Sequence, residues 1–148
     1  MNINAIPKKM LDRINELKNL KLIIQDNIHI FEISNEILNN LKKVLILMEI
    51  SSIFKIIYID EYLKLAKEGL KILFIFSKEV MDRLKVEFQN IYNDYKNIKN
   101  VTFFVSDSIK IASCTITNNF ISFSLFTKKG YYINHEMISY NSSSIQWG

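Results

Sequence analysis

The chain has 148 residues, 49% of them hydrophobic, with three glycines, one proline and a formal net charge of +4. That length supports one domain with a real core and is short for two, and so few glycines and prolines exclude long disordered linkers. Positive charge invites a nucleic-acid reading. However, all but two of the 19 cations are lysines, spread along the chain, and only Arg13 and Arg83 offer a planar fork for phosphate or guanine, so the lysines read as a solvated surface.

A single cysteine, Cys114, allows no disulfide within the chain and points to a reducing, cytoplasmic home. The first ten residues, MNINAIPKKM, lack the apolar centre of a signal peptide. No apolar run approaches the roughly 20 residues of a membrane span, so no membrane is expected.

In chain order, Pro7 suits the first turn of a helix, and Met10, Leu11, Ile14, Leu17 and Leu20 recur after it at helical spacing. KLIIQ (21–25) reads as a short strand. Ile30, Ile33, Ile37, Leu38 and Leu41 mark a second amphipathic helix. VLILMEI (44–50) is apolar on both faces, as a central parallel strand is. Ile59, Tyr62, Leu63 and Ala66 predict a third helix ending at Gly69, which suits the left-handed residue after a helix. LKILFIF (70–76) is another buried strand. Ser77 caps a helix whose one face carries Val80, Met81, Leu84, Phe88, Ile91, Tyr92 and Tyr95, and VTFFV (101–105) is the third strand.

The pattern then changes. IKIASCTIT (109–117) and FISFSLFT (120–127) are joined by Asn118-Asn119, a pair tolerant of the positive φ of a two-residue hairpin turn. LFT and YYI meet across Lys128-Lys129-Gly130, with glycine placed for a bulge. The expected fold class is therefore α/β. A mixed sheet has a parallel βαβαβ core over 44–105 and an antiparallel meander over 109–140, flanked by helices, in a single domain over 1–148.

The sequence shows little catalytic chemistry. His29 and His135 have no further histidine or cysteine at metal-ligand spacing and read as surface or boundary residues. The three glycines are too scattered for a phosphate loop, and no serine sits in a nucleophile elbow. Cys114 reads as a small core residue, and Asp60-Glu61 as carboxylates favouring a helix start. No metal, cofactor or catalytic residue is expected.

One arrangement points to a ligand. In parallel α/β sheets, ligands lie outside the carboxyl ends of the strands. Here those ends carry Ser51-Ser52, Ser77-Lys78 and Ser106-Asp107-Ser108, with Glu49 just before the first exit. Glu49, Ser51, Ser52, Ser77, Lys78, Ser106 and Asp107 would form a rim suited to a small polar ligand. The same residue types also cap helices, and the two readings stand side by side.

IPKKMLDRINELKNLKLI, LAKEGLKILFIFSKEVMDRL and IKIASCTITNNFISFSLFTKKGYYINHEMISYNSSSIQWG resemble, in order, the middle domain of archaeal methanogenesis-regulatory proteins, which are winged-helix transcription regulators. The tail is the most specific part: Leu125-Phe126, a Lys-Gly turn, an Ile-Ser-Tyr stretch and an Ile-x-Trp-Gly ending. The resemblance implies a non-catalytic domain that senses a small polar effector or mediates dimerisation, with DNA gripped only by a separate winged helix. It also implies a topology similar to non-catalytic phospholipase-D-like sensor domains. The His-x-Lys-x4-Asp motif of phospholipase D enzymes is missing, since His29 is followed by Ile30-Phe31 and His135 by Glu136-Met137.

Only six residues precede Pro7, and the family continues beyond the Trp-Gly ending into a further helix, so the chain reads as a fragment, whether a single domain or a truncated or split gene. Trp147 is expected to anchor that further helix on the sheet rather than to stack on a ligand. The alternatives are a ligand-free interaction module, paired through Tyr131, Tyr132 and Tyr140, a remnant of a phospholipase-D-like enzyme, and a direct nucleic-acid binder.

Overall fold

A computed structural model describes residues 1–24 and 35–148. Gln25, His29 and the start of the expected second helix, with Ile30 and Ile33, lie outside the described residues. Seven strands form one mixed sheet: β1 (Lys21–Ile24), β2 (Ile46–Ser51), β3 (Lys71–Phe76), β4 (Val101–Val105), β5 (Ser113–Thr117), β6 (Ile121–Ser124) and β7 (His135–Ser139). Their spatial order is β1-β7-β6-β5-β2-β3-β4. β2, β3 and β4 are parallel neighbours, and every pairing on the β5 side of β2 is antiparallel.

The crossover after β2 is α3 (Ile56–Lys67), and the one after β3 is α4 (Lys78–Glu87) followed by α5 (Gln89–Lys96). Together with α2 (Asn35–Leu41), these helices supply the main core from one face of the sheet. Gly69 ends α3 with φ of +112°, a conformation that costs a residue with a Cβ. Phe74 of β3 is fully buried at the centre of this core, stacked 5.0 Å from Phe103 and edge-on to Tyr95 at 5.2 Å. Burying such a side chain contributes about 1.5–3 kcal/mol. The Tyr95 hydroxyl is satisfied by the Ile59 carbonyl.

A smaller core lies on the opposite face. There Cys114, Ile121 and Phe123 meet α1 (Lys8–Leu11), which begins just after Pro7, and α6 (Ser142–Trp147). Trp147 is buried, 5.8 Å from Phe123, and its Nε1 donates to the Met10 carbonyl at 2.8 Å. Within the described residues, then, Trp147 fastens the N-terminal segment to the sheet.

Several local expectations change. The helix expected from Pro7 to Leu20 is only α1 and a 3-10 turn at Ile14–Glu16, because the carbonyls of Met10, Glu16 and Lys18 bond to α6 and to Ser139 instead of continuing a helix. The long helix after Ser77 breaks at Phe88, whose ring stacks on Phe54 at 4.8 Å with its backbone outside the helical region. Asn118 and Asn119 do not take positive φ. Instead the Thr117 Oγ1 accepts from both Asn119 N and Phe120 N, closing the turn with a side chain. Gly130 has φ of +83°, and the Thr127 and Tyr131 backbones bond across it, but the segments flanking this turn are not strands: β6 ends at Ser124 and β7 starts at His135. β5 likewise begins at Ser113, not at 109.

Candidate functional site

Side chains alternate between the faces of a strand. In β2, Leu47 joins the main core and Ile50 the smaller one, so Glu49 and Ser51 share the α3 face with Leu47. The register sets Thr115 opposite Glu49 and Ser113 opposite Ser51, then Ser122 opposite Thr115 and Ser124 opposite Ser113. On β7, Glu136 lies on the same face as the core residue Ile138. Where the parallel strands present Phe74 and Phe76 to the helices, this part of the sheet therefore presents hydroxyls and two carboxyls. Glu49, Ser51, Ser113, Thr115, Ser122, Ser124 and Glu136 are all buried.

The first turns of α3 close over them. Tyr62 Oη donates to Glu49 Oε2 at 3.3 Å, and Thr115 Oγ1 donates to the same oxygen at 2.5 Å. Tyr58 Oη donates to Glu136 Oε2 at 3.3 Å, and Ser122 Oγ to Glu136 Oε1 at 2.8 Å. The Lys55 ammonium sits 5.2 Å from the ring centres of both Tyr58 and Tyr132, near enough for cation–π attraction. Among the described residues one buried side-chain oxygen lacks a partner, Ser124 Oγ.

Burial governs the charges here. It pushes the Glu49 carboxyl up to about 8, against the Thr115 hydrogen bond and the Lys55 charge, which favour ionisation. Burial therefore favours the protonated form of Glu49. Burial opposes the Lys55 charge as well, but Glu136, Tyr132 and Glu49 outweigh it and hold the lysine above its ordinary value. Burial also raises Tyr58 and Tyr62 well above the ordinary phenol range, so both remain hydrogen-bond donors.

The expected rim residues divide. The strand exits share an edge, since Ser77 N donates to Ser51 O and Ser106 N to Phe76 O. Glu49 and Ser51 belong to the buried polar face. Ser51 Oγ is engaged with the Ile53 carbonyl, and Ser52 Oγ with Ile111 O. Ser77 caps α4 by accepting from Val80 N, Lys78 pairs with Asp82 on the exposed surface, and Ser106 Oγ shares a hydrogen bond with Ser108 Oγ. Asp107 is exposed. Ser106 also borders a cavity of about 280 Å³ on the other face, lined by Ile6, Met10, Ile50, Cys114, Phe123 and Trp147.

The sequence reading did not find Lys55, Tyr58, Thr115, Ser122, Ser124 or Glu136. The alternation S-C-T-I-T and I-S-F-S was a signal, but alternation does not say which face a helix will cover. The tyrosines grouped in the sequence part company. Tyr131 is exposed, Tyr132 faces Lys55, and Tyr140 donates to Glu36 at 2.9 Å. Both arginines are engaged within the chain, Arg13 with Glu16 and the Gln146 carbonyl, and Arg83 with Glu87 and the face of Phe54. Cys114 is buried and its thiol is pushed up by burial, which keeps it protonated. No group that could hold a metal ion occurs among the described residues, and no described helix is long and apolar enough to cross a membrane.

This mixed α/β fold is similar to that of TrmBL2, an archaeal chromatin protein with a novel mode of DNA binding. The TM-score is 0.60 at 14% identity, over 93% of this chain and 55% of TrmBL2, so the likeness shows the fold alone and the chain spans little more than half that protein. The family model described as the methanogenesis regulatory protein FilR1, middle domain, matches residues 30–148, and the chain belongs to that family. No curated protein matches the chain.

Proposed function

We propose that this chain is the effector-sensing domain of an archaeal transcription regulator, working in the cytoplasm without catalysis. Residues 1–148 would act as one regulatory unit, meeting DNA only through a separate winged helix. One observation carries the reading: a folded core gathers two carboxyls and a row of hydroxyls beneath α3 with a lysine at its start, and one buried hydroxyl has no partner among the described residues. Such a cluster costs desolvation that packing alone does not return, whereas a small polar ligand seated on it does.

Of the rim set, Glu49 and Ser51 enter this effector site, with Ser52, Ser77, Lys78, Ser106 and Asp107 as its border of caps and turns. The parallel β2–β3–β4 unit beside the antiparallel strands is, in this reading, a phospholipase-D-like sensor topology that lacks the catalytic motif. Binding would favour one arrangement of α3 over the sheet and bias the geometry of attached DNA-binding domains.

A thermal-shift screen of small polar metabolites, run beside light scattering, tests the proposal. At least one compound is expected to raise the Tm of the wild-type chain and to lose that effect in Glu136→Gln. The absence of any stabilising compound from a chain that scatters as a dimer favours the second reading, a ligand-free dimerisation module. The exposed Leu45, Ile46, Phe104 and Tyr131 support that alternative.

A further inference from the structure

The polar face beneath α3 has a charge pattern that selects its ligand. Lys55 holds a positive charge at one place, the Glu136 carboxyl on β7 acts on it, and Glu49 on β2 adds a carboxyl that burial keeps protonated. The hydroxyls of Tyr58 and Ser122 are already given to Glu136, and those of Tyr62 and Thr115 to Glu49. Two kinds of donor remain. Ser124 Oγ is fully buried, unpartnered among the described residues, and on the same face, opposite Ser113. α3 starts at Lys55, and no side chain caps the N–H groups of its first turn.

We propose that this face binds a small zwitterion, with its carboxylate against the Lys55 ammonium, the first turn of α3 and the Ser124 hydroxyl, and its ammonium against Glu136. The proposal rests on the effector-site reading and narrows it. A ligand with one charge would cancel one buried charge and leave an uncompensated one in a dry site. A neutral polyol would form hydrogen bonds but would exchange charge-assisted bonds with water for weaker ones. A zwitterion meets both charges and adds none.

The test is a thermal-shift and calorimetric series. The proteinogenic α-amino acids are titrated singly against the wild-type chain, beside their amides, which lack the carboxylate, and their deamino acids, which lack the ammonium. At least one amino acid is expected to bind while its amide and deamino acid do not. Lys55→Met and Glu136→Gln are expected to weaken it by about tenfold or more, and Ser124→Ala by about threefold. Glu136→Gln keeps the side-chain shape, and Ser124→Ala removes a hydroxyl with no partner among the described residues, so both variants report even where Lys55→Met fails to fold.

Binding of the amides or deamino acids as tightly as the amino acids overturns the zwitterion, as does an absence of binding by every amino acid. Sugars and dicarboxylates, run in parallel, separate the two levels. If one of them binds in a Glu136-dependent way, the effector site survives and only the zwitterion falls. If nothing binds, both fall.

Discussion

The two faces of β5, β6 and β7 come from the same alternating strands and end with opposite chemistry. One carries Cys114, Ile121 and Phe123 and is closed by Trp147. The other carries Thr115, Ser122, Ser124 and Glu136 and is closed by α3, with tyrosines and a lysine. The first is closed by apolar area and shape, with hydrogen bonds from the indole and from the Ser139, Ser143 and Ser144 hydroxyls holding the N-terminal segment. The second needs nearly every polar atom paired, because a buried donor or acceptor without a partner costs about 1–3 kcal/mol. The apolar face therefore reads as structure, and the polar face as a surface kept for something else.

The largest break in that comparison is expected on the apolar face. Trp147→Ala removes the side chain that joins α6, Met10 and Phe123, and should lower stability by about 3–5 kcal/mol in urea unfolding. The next concerns the sign of a pH dependence. The folded carboxyl of Glu49 titrates near 8 against an ordinary 4.5. Between those values the unfolded chain has released its proton while the folded chain keeps it. This group's contribution to stability is therefore fully present below 4.5, falls as pH rises to about 8, and is constant above. Denaturation of wild type and Glu49→Gln across that interval should show the variant without this part of the decline, and parallel curves would contradict the buried-acid picture.

Smaller effects sharpen the contrast. Thr115→Val takes the short hydrogen bond from Glu49 and should cost about 1–3 kcal/mol, although the side chain keeps its shape. Ser77→Ala removes a helix cap and should cost about 1 kcal/mol in denaturation while leaving any ligand response unchanged, which would separate the border of the site from its floor. Ser124→Ala should not destabilise the chain and should raise its stability by up to about 1 kcal/mol, since it removes a buried hydroxyl that has no partner among the described residues, while its cost should appear in binding.

Much of this architecture is legible along the chain. The mixed α/β class follows from apolar strand-length runs alternating with helical periodicity, and Gly69 and Ser77 mark a helix end and a helix start by local chemistry alone. Elsewhere local preference loses to contacts across the fold. The apolar spacing after Pro7 is helical, yet the carbonyls of Glu16 and Lys18 are drawn to Ser143 and Ser144. The face of the helix after Ser77 runs through Phe88, yet stacking on Phe54 turns that residue out of the helix. Of the candidate site, Glu49 and Ser51 were named in the sequence from their place at a strand exit. Lys55 and Tyr58 were not, because nothing local tells which neighbour a helix start will face.

The sequence by itself determined where backbone hydrogen bonds could run regularly and which positions would alternate, since both depend on neighbouring residues and fixed backbone geometry. Only the tertiary structure decided which alternating face became dry. Glu49 and Thr115 stand 66 residues apart, and it is the pairing of β2 with β5 that makes them partners. Burial is a property of what lies opposite, and on this sheet one face lies opposite the first turns of α3 and the other opposite Trp147.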